Sequence, residues 1–315
     1  MLADDANQKY QKKRDYSLFR ETGLSSLNED IWTPNLSIGE NVINLINNSV
    51  ILPKKNLQVP IAASYFLIPS AICNVLPVLF FCGDKGSGKS LLSTIGAGFH
   101  NTEINSSVTT FAALRNYLNS QRWELIDAET GETQENHCML VFDNVTESTF
   151  SNDYIYLLFL NGYNRKTDRI SISSGKAGEN ITFHVFSPKI VSSIHALYLR
   201  NKFTELERRV ITIWTKPYEQ FSIEEKKELG DESLLDKLDL NFIDLTVLNR
   251  YFDEFWDTEV NLIRFSLIKK QLIRLGKKRG VLNENFTSAR WTISLDLMTT
   301  GVVTSVFDCP ETAAF

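Results

Sequence analysis

Residues Gly83-Asp84-Lys85-Gly86-Ser87-Gly88-Lys89-Ser90 fit the spacing G-x-x-x-x-G-K-[ST], and they stand between an apolar run, Val75 to Cys82, and a helical start at Leu91, Leu92 and Ile95. No other feature of the chain narrows its fold as far. A strand that feeds a glycine-bearing turn and then a helix aims successive backbone N–H groups, and the positive end of the helix, at one point. This is phosphate chemistry. Lys89 is expected to reach the β- and γ-phosphates of a nucleotide and Ser90 to hold Mg²⁺, with ATP and Mg²⁺ as the cofactors and all eight residues from Gly83 to Ser90 around them.

A site of this kind needs an acid at the end of a neighbouring strand. Leu140-Val141-Phe142-Asp143 supplies it, so Asp143 is expected to act on the metal through water. The next residue is Asn144, where many ATPases carry a glutamate that polarises the attacking water. An amide can orient water and cannot take its proton, which makes binding a firmer expectation than hydrolysis. Glu147 is the nearest substitute if the following turn brings it inward.

Between the two apolar strands, Phe111, Leu114, Tyr117 and Leu118 recur at helical spacing, and the order strand, helix, helix, strand points to an α/β fold with a parallel sheet. Ile170 and Ile172, then Ile181, Phe183 and Val185, alternate on either side of Ser173 to Asn180, which reads as a β-hairpin with a glycine-bearing tip. Ile190-Val191 and Val210 to Trp214 are further strands. Apolar patterns from Asn41 and from Ile61 to Ile68 suggest helices before the first strand, and the chain turns charged and helix-like beyond Pro217. The expected division is 1–59, an N-terminal helical extension; 60–216, the nucleotide-binding core; and 217–315, a mainly helical C-terminal domain.

With 33 basic and 38 acidic residues the formal charge is −5, so any contact with a polyanion must be regional. Cys73, Cys82, Cys138 and Cys309 show no paired spacing, which fits reduced, cytoplasmic usage. Neither an N-terminal leader nor a membrane-spanning run is visible, so no membrane partner is expected.

Several further segments occur in a telling order: Ile61-Ala62-Ala63, Phe111-Ala112-Ala113-Leu114, Phe142-Asp143, Leu160 to Lys166, Phe186-Ser187-Pro188-Lys189 and Leu206 to Ile211. Together with the phosphate loop they resemble helicase-like AAA+ ATPases of plasmids, phages and integrated mobile elements, relatives of the superfamily 3 replication helicases. The resemblance covers roughly residues 60 to 216. It implies an AAA+-like P-loop NTPase core with a pre-sensor β-hairpin, acting as a homo-oligomeric ring such as a hexamer. The catalytic set it implies is Asp143 and Asn144 with Arg208 and Arg209, the arginine pair completing a neighbouring subunit's site; Arg165 is a further candidate. The hairpin tip would meet DNA, single-stranded by expectation, through Lys176. The polar position after the hairpin strand falls on Ser192 and Ser193, where such relatives usually carry asparagine.

The implied function is an ATP-hydrolysing, DNA-directed motor or replication helicase of a mobile element. The alternative is an ATP-dependent assembly switch or scaffold, in transposition or antiviral defence, with slow hydrolysis. The C-terminal cations Lys269, Lys270, Arg274, Lys277, Lys278 and Arg279 read as the solvated face of an amphipathic helix or, less favoured, as a DNA-facing helix.

Overall fold

The computed structural model describes residues 25–26, 32–106, 110–120, 123–126, 133–136, 139–173, 180–200, 202–229, 237, 243–278 and 288–310. Along the chain run α1 (Ile38–Ser49), α2 (Lys55–Phe66), β1 (Val78–Cys82), α3 (Lys89–Phe99), β2 (Ile104–Ser106), α4 (Phe111–Ser120), β3 (Trp123–Ile126), β4 (Thr133–Asn136) and β5 (Leu140–Asp143). Then follow α5 (Glu147–Phe150), α6 (Asp153–Asn161), β6 (Arg169–Ser173), β7 (Asn180–His184), β8 (Lys189–Ser193), β9 (Val210–Trp214), α7 (Ile223–Leu229), α8 (Thr246–Trp256), α9 (Glu259–Lys278) and α10 (Ser288–Val303).

The fold is α/β. Five strands form a parallel sheet in the order β9-β1-β8-β5-β2. All five residues of β1 and of β8 are buried, as expected for central strands covered on both faces. Alternation along β1 divides the core: Leu79 and Phe81 face one apolar cluster, while Val78, Phe80 and Cys82 face the other. The second cluster is closed by α4 through Phe111, Leu114 and Leu118, and by α6 through Ile155, Leu158 and Phe159.

The first cluster joins regions far apart in sequence. Val42, Leu45 and Ile46 of α1, Ala62 and Phe66 of α2, Leu92 and Ile95 of α3, Leu248 and Trp256 of α8, Phe265 of α9 and Leu297 of α10 all contribute. The helices before β1 and those beyond Pro217 thus pack into one apolar cluster with the sheet. Side chains reinforce the link: Asp296 of α10 accepts from the N–H groups of Asn74 and Val75 just before β1, at 3.0 and 3.3 Å, and is ion-paired with Lys269 of α9. Lys269 is thus a structural cation, whereas Lys270, Arg274 and Lys277 are exposed. Arg279 lies outside the described residues.

α1 begins at a capping box, with Glu40 N–H donating to Ser37 Oγ and Ser37 N–H donating to the Glu40 carboxylate. The expected hairpin is present as β6 and β7, paired antiparallel with Ile172 opposite Ile181. Its base is held by Asp168, whose carbonyl accepts from Val185 N–H at 2.8 Å and whose carboxylate meets His184 Nδ1 at 3.2 Å. Beside it Lys189 is fully buried, its ammonium donating to the carbonyls of Gly162, Val185 and Ser187. The tip, with Lys176, lies outside the described residues. A second hairpin, β3–β4, and the short edge strand β2 have no counterpart in the sequence reading. Among the described residues no helix is long and apolar enough to cross a membrane.

Candidate functional site

In a parallel sheet the crevice beyond the carboxyl ends of the strands is the usual ligand position, because loops leaving adjacent strands diverge there. Four such ends meet here. The loop 83–90 leaves β1, Asp143 closes β5, Ser192 and Ser193 close β8, and Thr215 follows β9.

The loop's shape follows from its glycines. Gly86 and Gly88 have φ of +81° and +86°, in the left-handed region that costs other residues energy, and Gly88 is the residue from which α3 starts. At Gly83 the reason is contact: a Cβ there would fall 1.8 Å from the Thr215 carbonyl oxygen. The segment after β9 clamps the loop from that side. Thr215 Oγ1 lies 2.7 Å from Ser87 Oγ, and Gln220 Nε2 donates to Asp84 Oδ2 at 2.9 Å.

Lys89 is 5% exposed and curls back over the loop, its ammonium donating to the carbonyls of Gly83 and Asp84 at 2.8 and 2.6 Å. Burial lowers its pKa, partly offset by the nearby carboxylates of Asp143 and Asp84. Lys85 and Asp84 are exposed, while Ser87 is buried.

Ser90, the first residue after Lys89, reaches the neighbouring strands. Its hydroxyl donates to Asp143 Oδ2 at 2.9 Å. Ser192 Oγ also donates to Asp143, and Asn144 Nδ2 donates to Asp143 Oδ2 at 3.1 Å, so three donors converge on one carboxylate. Asn144 has φ +56° and its N–H donates to Ser192 Oγ at 3.0 Å. That backbone turn is one asparagine tolerates better than most residues. The hydroxyl of Ser90 and the carboxylate of Asp143 are hard oxygen ligands on one lip of the loop, a set that fits Mg²⁺ bound through one carboxylate together with phosphate oxygens. Among the described residues no group of three or more His, Cys, Asp or Glu side chains forms a metal site.

A cavity of about 610 Å³ opens beside Gly83 and Asp84, bordered by Leu57, Ile61, Trp214, Thr215 and Gln220. It is a size that holds a small organic ligand.

Other expected residues stand elsewhere. Arg208 and Arg209 precede β9 at the amino edge of the sheet, about 20 Å of strand away from the loop 83–90. Neither can serve its own chain's loop from there. Arg208 is exposed, whereas the Arg209 guanidinium lies over the Tyr163 ring, 4.6 Å from its centroid, with Nε and Nη1 buried. Arg165 is a packing element: it donates to the carbonyls of Cys73 and Ser70 at 3.1 and 2.7 Å and covers Phe186 at 4.3 Å, which removes it as a candidate finger. Glu147 opens α5 and is ion-paired with Arg200, on the surface.

Thr215 and Gln220 are neighbours of the loop that no motif in the sequence marks. A threonine or a serine at a strand end carries no local signal, since only the sheet order brings these hydroxyls to the loop. Comparison with protein-family models gives no match, and comparison with curated proteins gives none either.

Proposed function

We propose that the chain has a P-loop NTPase core that binds ATP with Mg²⁺ at residues 83–90. The observation that carries this reading is the 2.9 Å contact between Ser90 and Asp143, with Lys89 on the same loop. Ser90, in the first turn of α3, and Asp143, at the end of β5, are 53 residues apart in sequence and still meet. The 610 Å³ cavity beside Gly83 supports a place for the base and sugar. Titration of a fluorescent ATP analogue with and without Mg²⁺ tests it, and equal affinity for wild type and a folded Lys89→Ala variant overturns it.

Two observations favour an oligomeric, cytoplasmic assembly switch with slow hydrolysis over a fast motor. Position 144 offers an amide, and Glu147 is engaged by Arg200. Neither place where a general base was expected supplies a free carboxylate. The competing reading is a DNA-directed, helicase-like motor of a mobile element working as a ring, and it draws support from the hairpin β6–β7 directly before β8. ATP turnover with and without single-stranded DNA, measured beside strand displacement, separates the two: DNA-stimulated turnover with unwinding favours the motor, and slow turnover indifferent to DNA favours the switch.

A further inference from the structure

α9 packs through Phe265 and Leu272, which are buried, and presents a different stripe outward. Val260, Ile263, Leu267, Lys270, Arg274 and Lys277 alternate by three and four residues, the spacing of a helix-pairing seam, and all six are exposed. The first three are apolar, with Val260 at 61%, Ile263 at 51% and Leu267 at 59% exposure, and the last three are cations. Among the described residues no ion pair or hydrogen bond engages Lys270, Arg274 or Lys277. The corner where α8 passes into α9 carries the opposite charge: Asp253, Asp257 and Glu259 are all exposed. The Asp253 carboxyl is held above its usual range by partial burial and by the charge of Asp257, so this corner repels itself within one chain.

We infer that this face binds a second copy of the chain, α9 against α9 in antiparallel, two-fold fashion. With the axis between Ile263 and Leu267, Ile263 of one copy meets Leu267 of the other, and Val260 meets the aliphatic stem of Lys270. At 1.5 Å per residue, Glu259 stands about 9 Å on one side of the axis, while Lys270 and Arg274 stand about 8 and 14 Å on the other. The two-fold operation therefore lays the cationic half of each helix over the acidic corner of its mate, with apolar contact at the centre. A nucleic acid or an anionic membrane would match Lys270, Arg274 and Lys277 but would be repelled by Glu259, one turn before Ile263 on the same face. The pairing is separate from the phosphate loop and does not depend on nucleotide.

The test is sedimentation equilibrium of the full chain without nucleotide. Wild type should show a concentration-dependent dimer. Leu267→Glu should weaken it at least about tenfold with unchanged circular dichroism, because the side chain is already solvent-facing. Arg274→Glu should weaken it as well, and adding Glu259→Arg to the same chain should recover it, an exchange that a merely solvated face would not register. Nucleotide affinity measured on the same variants should stay at the wild-type value, which keeps a failure here distinct from a failure of the ATP reading. A monomeric mass for wild type at every concentration overturns the inference. So does a loss of single-stranded DNA or anionic-vesicle binding in Arg274→Glu with no change in mass.

Discussion

Ser90 Oγ donates to Asp143 Oδ2 at 2.9 Å, joining the first turn of α3 to the end of a strand that is not adjacent to β1 in the sheet. β8 lies between the two strands, and its Ser192 donates to the same carboxylate. If Asp143 acts on Mg²⁺, Asp143→Asn should keep the fold, since an amide oxygen can still accept from Ser90. It should also abolish the gain in ATP affinity that Mg²⁺ confers. Calorimetric titration with and without Mg²⁺ reads this out, and a retained Mg²⁺ gain assigns the metal elsewhere.

Lys89 has two duties that a single variant separates. Its ammonium holds the carbonyls of Gly83 and Asp84, so Lys89→Ala should lower stability by roughly 1–2 kcal/mol. Triphosphate affinity should fall further, by about 2–3 kcal/mol or roughly 30- to 150-fold, because a charge-assisted contact is lost. Thermal melting and nucleotide titration on the same preparation compare the two effects; a stability loss without an affinity loss makes the lysine purely structural.

Restoring a carboxylate at 144 should raise turnover, but φ of +56° constrains the choice. Asn144→Glu should cost about 1 kcal/mol of stability, as a longer side chain is forced into the left-handed region, while Asn144→Asp should cost less. Steady-state hydrolysis by Asn144→Asp above the wild-type rate is the expected outcome, and an unchanged rate points to a base outside position 144.

The arginine pair divides by its packing. Arg209→Ala should destabilise the fold by losing the stack on Tyr163, whereas Arg208→Ala should leave melting unchanged. Arg208→Ala is therefore the clean probe of a shared site. Mixed with Lys89→Ala chains, it should regain part of the hydrolysis that each variant lacks, and a mixture as inactive as its components removes the trans role.

His100 sets an acid limit on stability. It is partly buried, packed against Phe252 with Nε2 3.0 Å from the Phe66 carbonyl oxygen, and burial pushes its pKa down to about 4. The unfolded chain binds this proton near pH 6.5 and the folded chain only near 4, so the contribution is present above 6.5 and is lost as pH falls towards 4. The loss amounts to about 3 kcal/mol. Denaturant unfolding across that window should show His100→Gln with a shallower decline than wild type; parallel declines rule the residue out.

Local interactions wrote the most legible parts of this chain. The loop 83–90, the helix after it and the hairpin β6–β7 could be read in the sequence because each is set by residues within a few positions of one another. Asp143 was legible too, as an acid ending an apolar strand. The edge strand β2, only three residues long, left too short a pattern to read. What the sequence could not order was the sheet. Strand order is settled by which apolar faces the helices cover, and that alone placed β8 between β1 and β5, made Ser192 a partner of Asp143 and brought Thr215 and Gln220 against the loop. Charge behaved in the same way: Arg165, Lys189 and Lys269 look like surface cations in one dimension, and only packing showed that carbonyls, an aromatic ring and Asp296 enclose them. Sequence alone determined a glycine-bearing loop between a strand and a helix, because its conformation is held by glycines inside the loop. Tertiary structure alone decided which distant hydroxyls and carboxylates share that loop's edge, because the free energy that brings them together comes from burying the two apolar faces of the sheet and not from any contact between neighbours in the chain.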